Sequence, residues 1–412
     1  MTYHPILEWI EQQQDKMLAN VLALSNLNSG SANVAGIEQV VDRLSDLASS
    51  LGATEERISL APRSEVLDNG QILEKQSGPL LRLTKRPNAN RRILLVGHSD
   101  TVYPVDHAFQ TCRHLDDNTV NGPGVADMKG GLVVMLTALQ ALERSRFAEN
   151  IGWQIIINPD EEIGSFASAP YLDEAARAAD VGMIFEPALA DGTLAGARKG
   201  SGNFSLIARG KAAHAGREHH LGRNAIAALA RAMTLLDGLN GQHEGVTINL
   251  AKLTGGGPNN VVPDFALCRF NIRVPTPEGQ SWAEEQLAQI VARIGTEEGI
   301  TLELHGAFGR QPKVMDKAHE QLFALLRSCG ADLGLPPIEA KATGGCCDGN
   351  NLAAAGLANI DTLGVRGGAI HSTDEFLLVD SLSERAKLTA LLLMKLAAGE
   401  ANWPDRATSV SE

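Results

Sequence analysis

The 412-residue chain carries five cysteines, Cys112, Cys268, Cys329, Cys346 and Cys347, and none of them stand in a Cys-x-x-Cys spacing. An odd count without that spacing disfavours a disulfide framework and a structural zinc site. Clustered positive charge is also missing. Acids outnumber Lys and Arg by 49 to 36, for a net charge of −13, which argues against a nucleic-acid partner. The longest apolar run, residues 131–142, is broken by Thr137 and Gln140 and is too short to cross a bilayer, so no membrane partner is expected. No basic segment leads into an apolar stretch at the start, and a cytoplasmic enzyme is the expectation. The 41 glycines show neither a collagen-like period nor a low-complexity block. One triplet, Gly255-Gly256-Gly257, lacks the strand-to-helix setting and the spacing of a nucleotide-binding fingerprint.

What is present is enough chain for two domains. Helical spacing of apolar residues marks 5–25 and 35–51, the second starting near Asn33 and stopping at Gly52. Strands are expected at 80–83, 93–97, 153–158 and 181–185, with helices at 131–144 and 167–178 between them. Such alternation implies an α/β fold, a mixed-sheet catalytic domain covered by helices on both faces. From about residue 200 the order changes to strand 204–209, helix 223–239, strands 246–252 and 266–274, helix 277–295 and strand 301–305. This β-α-β-β-α-β order implies a ferredoxin-like α+β unit. It reads as an insertion, 200–312, between two parts of the catalytic domain, 1–199 and 313–412. The second part is expected to hold a helix at 317–329, a Gly-rich loop at 343–349, a strand at 359–363 and a long last helix. The polar tail, 402–412, is expected to be loose.

Acids and histidines recur where apolar strands end. After 153–157 comes Asp160-Glu161-Glu162, where neighbouring side chains point in different directions, so that one acid can hold a metal and the other move a proton. Read alone, the trio could be a solvated loop. His98 closes the strand at 93–97, with Asp100 placed to orient it, although a lone histidine there could equally be a core residue. Asp127 lies in a Gly-rich loop opening a helix and could be an N-cap. Glu186 follows an apolar strand, and His371 sits in Gly367-Gly368-Ala369-Ile370-His371. Two histidines and three carboxylates of this kind suit two divalent ions with one carboxylate bridging them.

The segments V-G-H-S-D-T-V, G-P-G-V-A-D-M-K-G-G, P-D-E-E-I-G-S, F-E-P, G-K-A-A-H-A-G, N-V-V-P-D and G-A-I-H-S-T-D-E occur here in that order, over roughly residues 20 to 395. They resemble the co-catalytic zinc metallopeptidases that include glutamate carboxypeptidase, aminoacylase, acetylornithine deacetylase and succinyl-diaminopimelate desuccinylase. The likeness is greatest to the glutamate carboxypeptidases, which keep a Glu at the place of Glu186 and a loop like 367–371. The resemblance implies two Zn²⁺ per subunit, with Co²⁺ or Mn²⁺ as substitutes. It places His98 and Glu186 on one ion, Glu162 and His371 on the other, and Asp127 on both, with a cis peptide after Asp127. Glu161 would be the general base and Asp100 the partner of His98. The inserted unit would be a lid and dimerisation domain of a homodimer, from which His214 reaches the partner's site to stabilise the oxyanion; on its own, His214 could be a surface histidine. Asn260 and Arg273, and more weakly Arg310, would hold a substrate carboxylate, although Arg273 could pair instead with an acid on a neighbouring strand. The implied activity is hydrolysis of the amide of an N-acyl amino acid or short peptide with a free carboxylate. An N-acyl amino acid deacylase or an aminopeptidase-like enzyme is the alternative, and a non-hydrolytic binding protein for amino-acid conjugates a further one. One departure stands out: Cys346-Cys347 occupy a loop that is usually built from small residues, and they could fill space, shape the pocket or act as an oxidisable thiol.

Overall fold

The computed structural model describes residues 3–404, so the last part of the tail expected to be loose, 405–412, lies outside the described residues. Its centre is a six-stranded sheet ordered Thr54–Ile58, Leu80–Lys85, Gly152–Asn158, Arg92–His98, Val181–Ile184 and Asn359–Ile360. The first two strands run antiparallel to their neighbours. The remaining pairs are parallel, which makes the sheet mixed. Along Arg92–His98 the side chains alternate between two cores. Ile93 and Leu95 join the core under the helices Gly131–Glu143 and Ser381–Ala398, while Leu94 and Val96 join the one under Ala169–Ala178 and Asp348–Ala354. That alternation is why the strand reads as a continuous apolar run.

The register decides where the chemistry sits. His98 lies opposite Asn158, and Val96 opposite Ile184. Three parallel strands therefore end level with one another, delivering His98, the Glu161–Ile163 turn and Glu186 to one edge, the crevice where α/β sheets bind their ligands. Asp127 comes from a separate direction. A second sheet, ordered Ala188–Leu189, Arg366–Gly368, Phe376–Leu378, Thr119–Asn121 and Arg113–His114, sets the loop after Asn121 beside the loop after Gly368. A Cβ at Gly131 would lie 1.9 Å from the Phe185 carbonyl oxygen, so only glycine lets the helix Gly131–Glu143 approach that strand end.

Residues 200–310 build a sheet and core of their own. The strands Thr247–Gly255, Phe265–Val274, Gly200–Arg209 and Thr301–Arg310 pair in that spatial order, all antiparallel, and the helices Ala225–Asp237 and Pro277–Gly295 pack against them. Numbered along the chain the order is 2-3-1-4, that of the ferredoxin-like arrangement. Its ends leave close together, where Arg198 bridges Lys313. A hairpin from the first part, Arg63–Val66 with Ile72–Lys75, reaches across to it: Asp68 accepts from Lys252 and Arg269, and Arg269 also donates to the Val66 carbonyl at 2.7 Å.

Some local expectations need correction. The first helix is two, His4–Glu11 and Gln14–Ser25, broken at Gln12-Gln13. The Gly-rich loop at 343–349 passes directly into the helix Asp348–Ala354, capped by the Cys347 sulfur. The strand at 359–363 is only Asn359–Ile360, followed by a bridge between Phe185 and Thr362. The apolar helix Gly131–Glu143 is almost wholly buried inside the fold, which accounts for its hydrophobicity.

Candidate dinuclear metal centre

The site is built from the sheet edge outwards. His98 is 1% exposed, and its Nε2 lies 3.1 Å from Asp127 Oδ1 and 3.8 Å from Glu186 Oε1. His371 approaches Asp127 from the other side, with Nε2 3.2 Å from Oδ2 and 3.3 Å from Glu162 Oε2. One oxygen of Asp127 therefore faces each histidine. His98, Asp127 and Glu162 place candidate ligand atoms within 4.8 Å of one another, and so do His98, Glu161 and Glu186. The Asp127–Met128 peptide is cis. Asp127 has non-helical backbone angles and Gly130 caps the following helix, so the N-cap reading of Asp127 does not hold.

The charge balance is the test of whether metals fit. Burial raises the Glu186 carboxyl well above its usual range, and the nearby Asp127 charge adds to this. Glu162 is pushed up to about 8 by burial and by Asp127. For Asp127 burial acts upwards, but the hydrogen bonds from His371 and His98 outweigh it and hold the group below the usual range. His371 is raised to about 11 by its bonds to Asp127 and Glu162. Burial alone would lower His98, yet its bonds to Asp100 and Asp127 carry it well above the ordinary value. Crowded carboxylates that must borrow protons to coexist are what divalent cations would neutralise. Imidazole and carboxylate donors with one carboxylate shared between two histidines fit two such ions.

Glu161 differs from its neighbour. One of its oxygens accepts from Arg310 Nη2 at 2.7 Å, so the carboxylate is held by a cation of the chain. Burial pushes it up to about 7, with Arg310 and His98 acting against the rise. Arg310 was expected to hold substrate, but the structure places it elsewhere. It is 3% exposed, and its guanidinium also donates to Asp348 at 2.6 Å, Asn351 at 2.6 Å and Ser165 at 2.8 Å. As the last residue of its strand it points inwards behind Glu161.

Asp100 does support His98, mainly by its main-chain carbonyl: Nδ1 lies 3.0 Å from that oxygen and 3.4 Å from Oδ1. The Asp100 carboxylate instead accepts from the amides of Glu161 and Glu162, both at 3.2 Å, and from Ser31 at 2.7 Å. It thereby fixes the turn carrying both acids. Arg273 donates to Asn271 at 3.0 Å and to the Cys346 sulfur at 3.2 Å, with no acid as partner among the described residues. His214 and Asn260 are exposed, and the His214 ring accepts from the Gly216 and Arg217 amides within this chain. All five cysteines are free. Arg310 was a candidate for the substrate carboxylate only, and nothing in the sequence marks its pairing with Glu161, Asp348 and Ser165, because only the fold brings them together.

Fold and site together define a metal-dependent hydrolase of the dinuclear carboxylate–histidine type. Residues 94–395 match the profile of peptidase family M20/M25/M40, and the chain belongs to that family of metallopeptidases, which hydrolyse amide bonds. It is 27% identical to carboxypeptidase G2 of Pseudomonas sp. (strain RS-16) over 94% of this chain and 91% of that one. It is 26% identical to succinyl-diaminopimelate desuccinylase of Nitrosomonas eutropha over 74% and 83%. Among solved structures, a tripeptidase from Staphylococcus aureus superposes with a TM-score of 0.72 at 22% identity, covering 93% of this chain and 99% of that one. An M20 family metallo-carboxypeptidase from Sulfolobus solfataricus does so with a TM-score of 0.71 at 17% identity, covering 93% and 100%.

Proposed function

We propose that this protein is a dizinc, glutamate-carboxypeptidase-like hydrolase of the amide in N-acyl amino acids or short peptides with a free carboxylate. The observation that carries the reading is the division between the adjacent acids: Glu162 faces Asp127 and His371, whereas Glu161 is held by Arg310. In this reading His98 and Glu186 would hold one ion, Glu162 and His371 the other, and Asp127 would serve both. Bound divalent ions supply polarisation of the amide carbonyl and a lowered pKa for an attacking water. Glu161 accepts the proton of that water and passes it to the leaving nitrogen, while Arg310 keeps its carboxylate aimed and Asp100 fixes the turn beneath it. Residues 200–312 serve as lid and dimerisation domain, and His214 donates to the developing oxyanion in the partner's site of a homodimer.

The pocket beside the centre, a space of about 440 Å³ lined by Glu186, Arg198, Lys341, Cys346 and His371, supports this substrate class. Arg273 reaches its rim through Cys346. Lys341 in that lining and Arg273 at its rim suit an acidic or carboxylate-terminated leaving amino acid, with Arg273 and Asn260 holding its carboxylate, while the Arg198 guanidinium is already taken by Asp361 at 2.7 Å. The likeness to carboxypeptidase G2 supports the same choice. A peptide with C-terminal glutamate and a set of N-acyl amino acids, assayed with metal-loaded and chelated protein, separate this reading from a deacylase. Cleavage of the acyl amino acids at more than tenfold the rate of the glutamate peptide would decide for the deacylase.

A further inference from the structure

Glu375 is fully buried, four residues after His371, and it carries no assignment in the scheme above. Its carboxylate is saturated by the far side of the metal centre. Oε1 accepts from the amides of Ala126 and Asp127, both at 3.0 Å, and Oε2 from the Gly124 amide at 3.0 Å and the Tyr103 hydroxyl at 2.7 Å. Its main-chain carbonyl takes the Asn121 side-chain amide at 2.7 Å and the Gly122 amide at 3.3 Å. The loop from 121 to 127 is therefore wrapped around one residue. Four donors on one carboxylate account for both its oxygens, and no ligand or solvent is needed to satisfy it.

The same residue anchors the other half of the donor set. The single Tyr103 hydroxyl proton is shared between Glu375 Oε2 and the Ser372 carbonyl oxygen 2.8 Å away, and Asn121 donates to the Thr373 carbonyl at 3.0 Å. These contacts tie down the turn in which Ala369 and His371 adopt φ values of 51° and 63°, a conformation that side-chain-bearing residues seldom hold unaided. We infer that Glu375 is a positioning residue for the metal centre, fixing the Asp127 loop and the His371 loop at the spacing that lets Asp127 face both histidines. A carboxylate suits this work and an amide does not. Glutamine would turn one acceptor oxygen into an NH₂ pointing at main-chain N–H groups.

The inference rests on the dimetal reading, and the two can fail separately. The experiment is competition for Zn²⁺ between the full-length protein and a chromophoric chelator, with bound metal counted by mass spectrometry. If the parent protein retains no zinc, the dimetal reading fails. If it does retain zinc, Glu375→Gln is expected to bind it about 10- to 100-fold more weakly, the usual range for losing an outer partner of a metal site. Far-UV circular dichroism should remain unchanged. Affinity within twofold of the parent overturns the inference. If Glu375→Gln does not fold, Tyr103→Phe decides, because it removes one donor from the carboxylate and keeps the ring. It should weaken zinc binding about threefold or more, and unchanged binding overturns the inference.

Discussion

At the scale of single residues, the centre works by giving similar side chains dissimilar neighbours. Glu161 and Glu162 are adjacent, yet one is paired with Arg310 and the other faces His371. Glu161→Gln should therefore keep both metals and lose about 10²- to 10⁴-fold in kcat, the span of a general base, whereas Glu162→Gln should lower metal content when measured by mass spectrometry. Equal metal loss in both variants would show that the acids share one task. The ligand candidates were legible because acids and histidines at the ends of apolar strands are conspicuous. The role of Arg310 beside Glu161 was not, since its distance in sequence conceals that its strand ends behind the Asp160–Ile163 turn. Glu375 stood within a recognisable segment, but nothing in the sequence distinguishes a buried acid gripping amides from a solvated one.

At the scale of elements, the buried strands and long helices were legible because their periodicity is set by two packed faces. The short strands of the second sheet were not. Arg113–His114, Ala188–Leu189 and Arg366–Gly368 are too brief to carry a period, and the pairing of Ala188–Leu189 with Arg366–Gly368 joins residues far apart along the chain. The helix Ser381–Ala398 is the largest single contributor to the core beneath Gly131–Glu143. Leu392, fully buried on it, should cost about 2–5 kcal/mol when replaced by Ala, read from urea unfolding. Lys387→Ala on the same helix removes a surface pair with Glu11 and should cost no more than about 1 kcal/mol.

At the scale of the whole molecule, metal binding and stability are linked through protons. In the metal-free protein Glu161 and Glu162 are held near 7 and 8 and His371 near 11, so the folded state keeps protons that the unfolded chain releases. For such raised groups the stabilising contribution is present at low pH and is lost as pH rises through the folded values. Asp127 has the opposite sign, but it acts only in acid, below the ordinary carboxylate range. The chelated protein should thus melt at progressively lower temperature as pH rises from about 5 to about 8. Metal-loaded protein should gain over it most at the alkaline end, because binding displaces those protons. A melting temperature of the chelated protein that is flat or rising over that range would contradict the charge balance described. Residues 200–310 carry a sheet and hydrophobic cluster of their own, and the change in element order at about residue 200 was legible. How these residues meet the rest of the chain was not, because the hairpin Arg63–Val66 and Ile72–Lys75 has no apolar pattern of its own.

That hairpin makes one of the contacts with residues 200–310 responsive to the solvent. Part of its grip on residues 200–310 runs through Asp68, the exposed Lys252 and the half-buried Arg269, charges that dissolved ions screen over roughly 10 Å at 0.1 M. Added salt should loosen the hairpin from residues 200–310, which hydrogen exchange would register as faster exchange of its main-chain amides. Asp68→Asn should show that faster exchange already at low ionic strength.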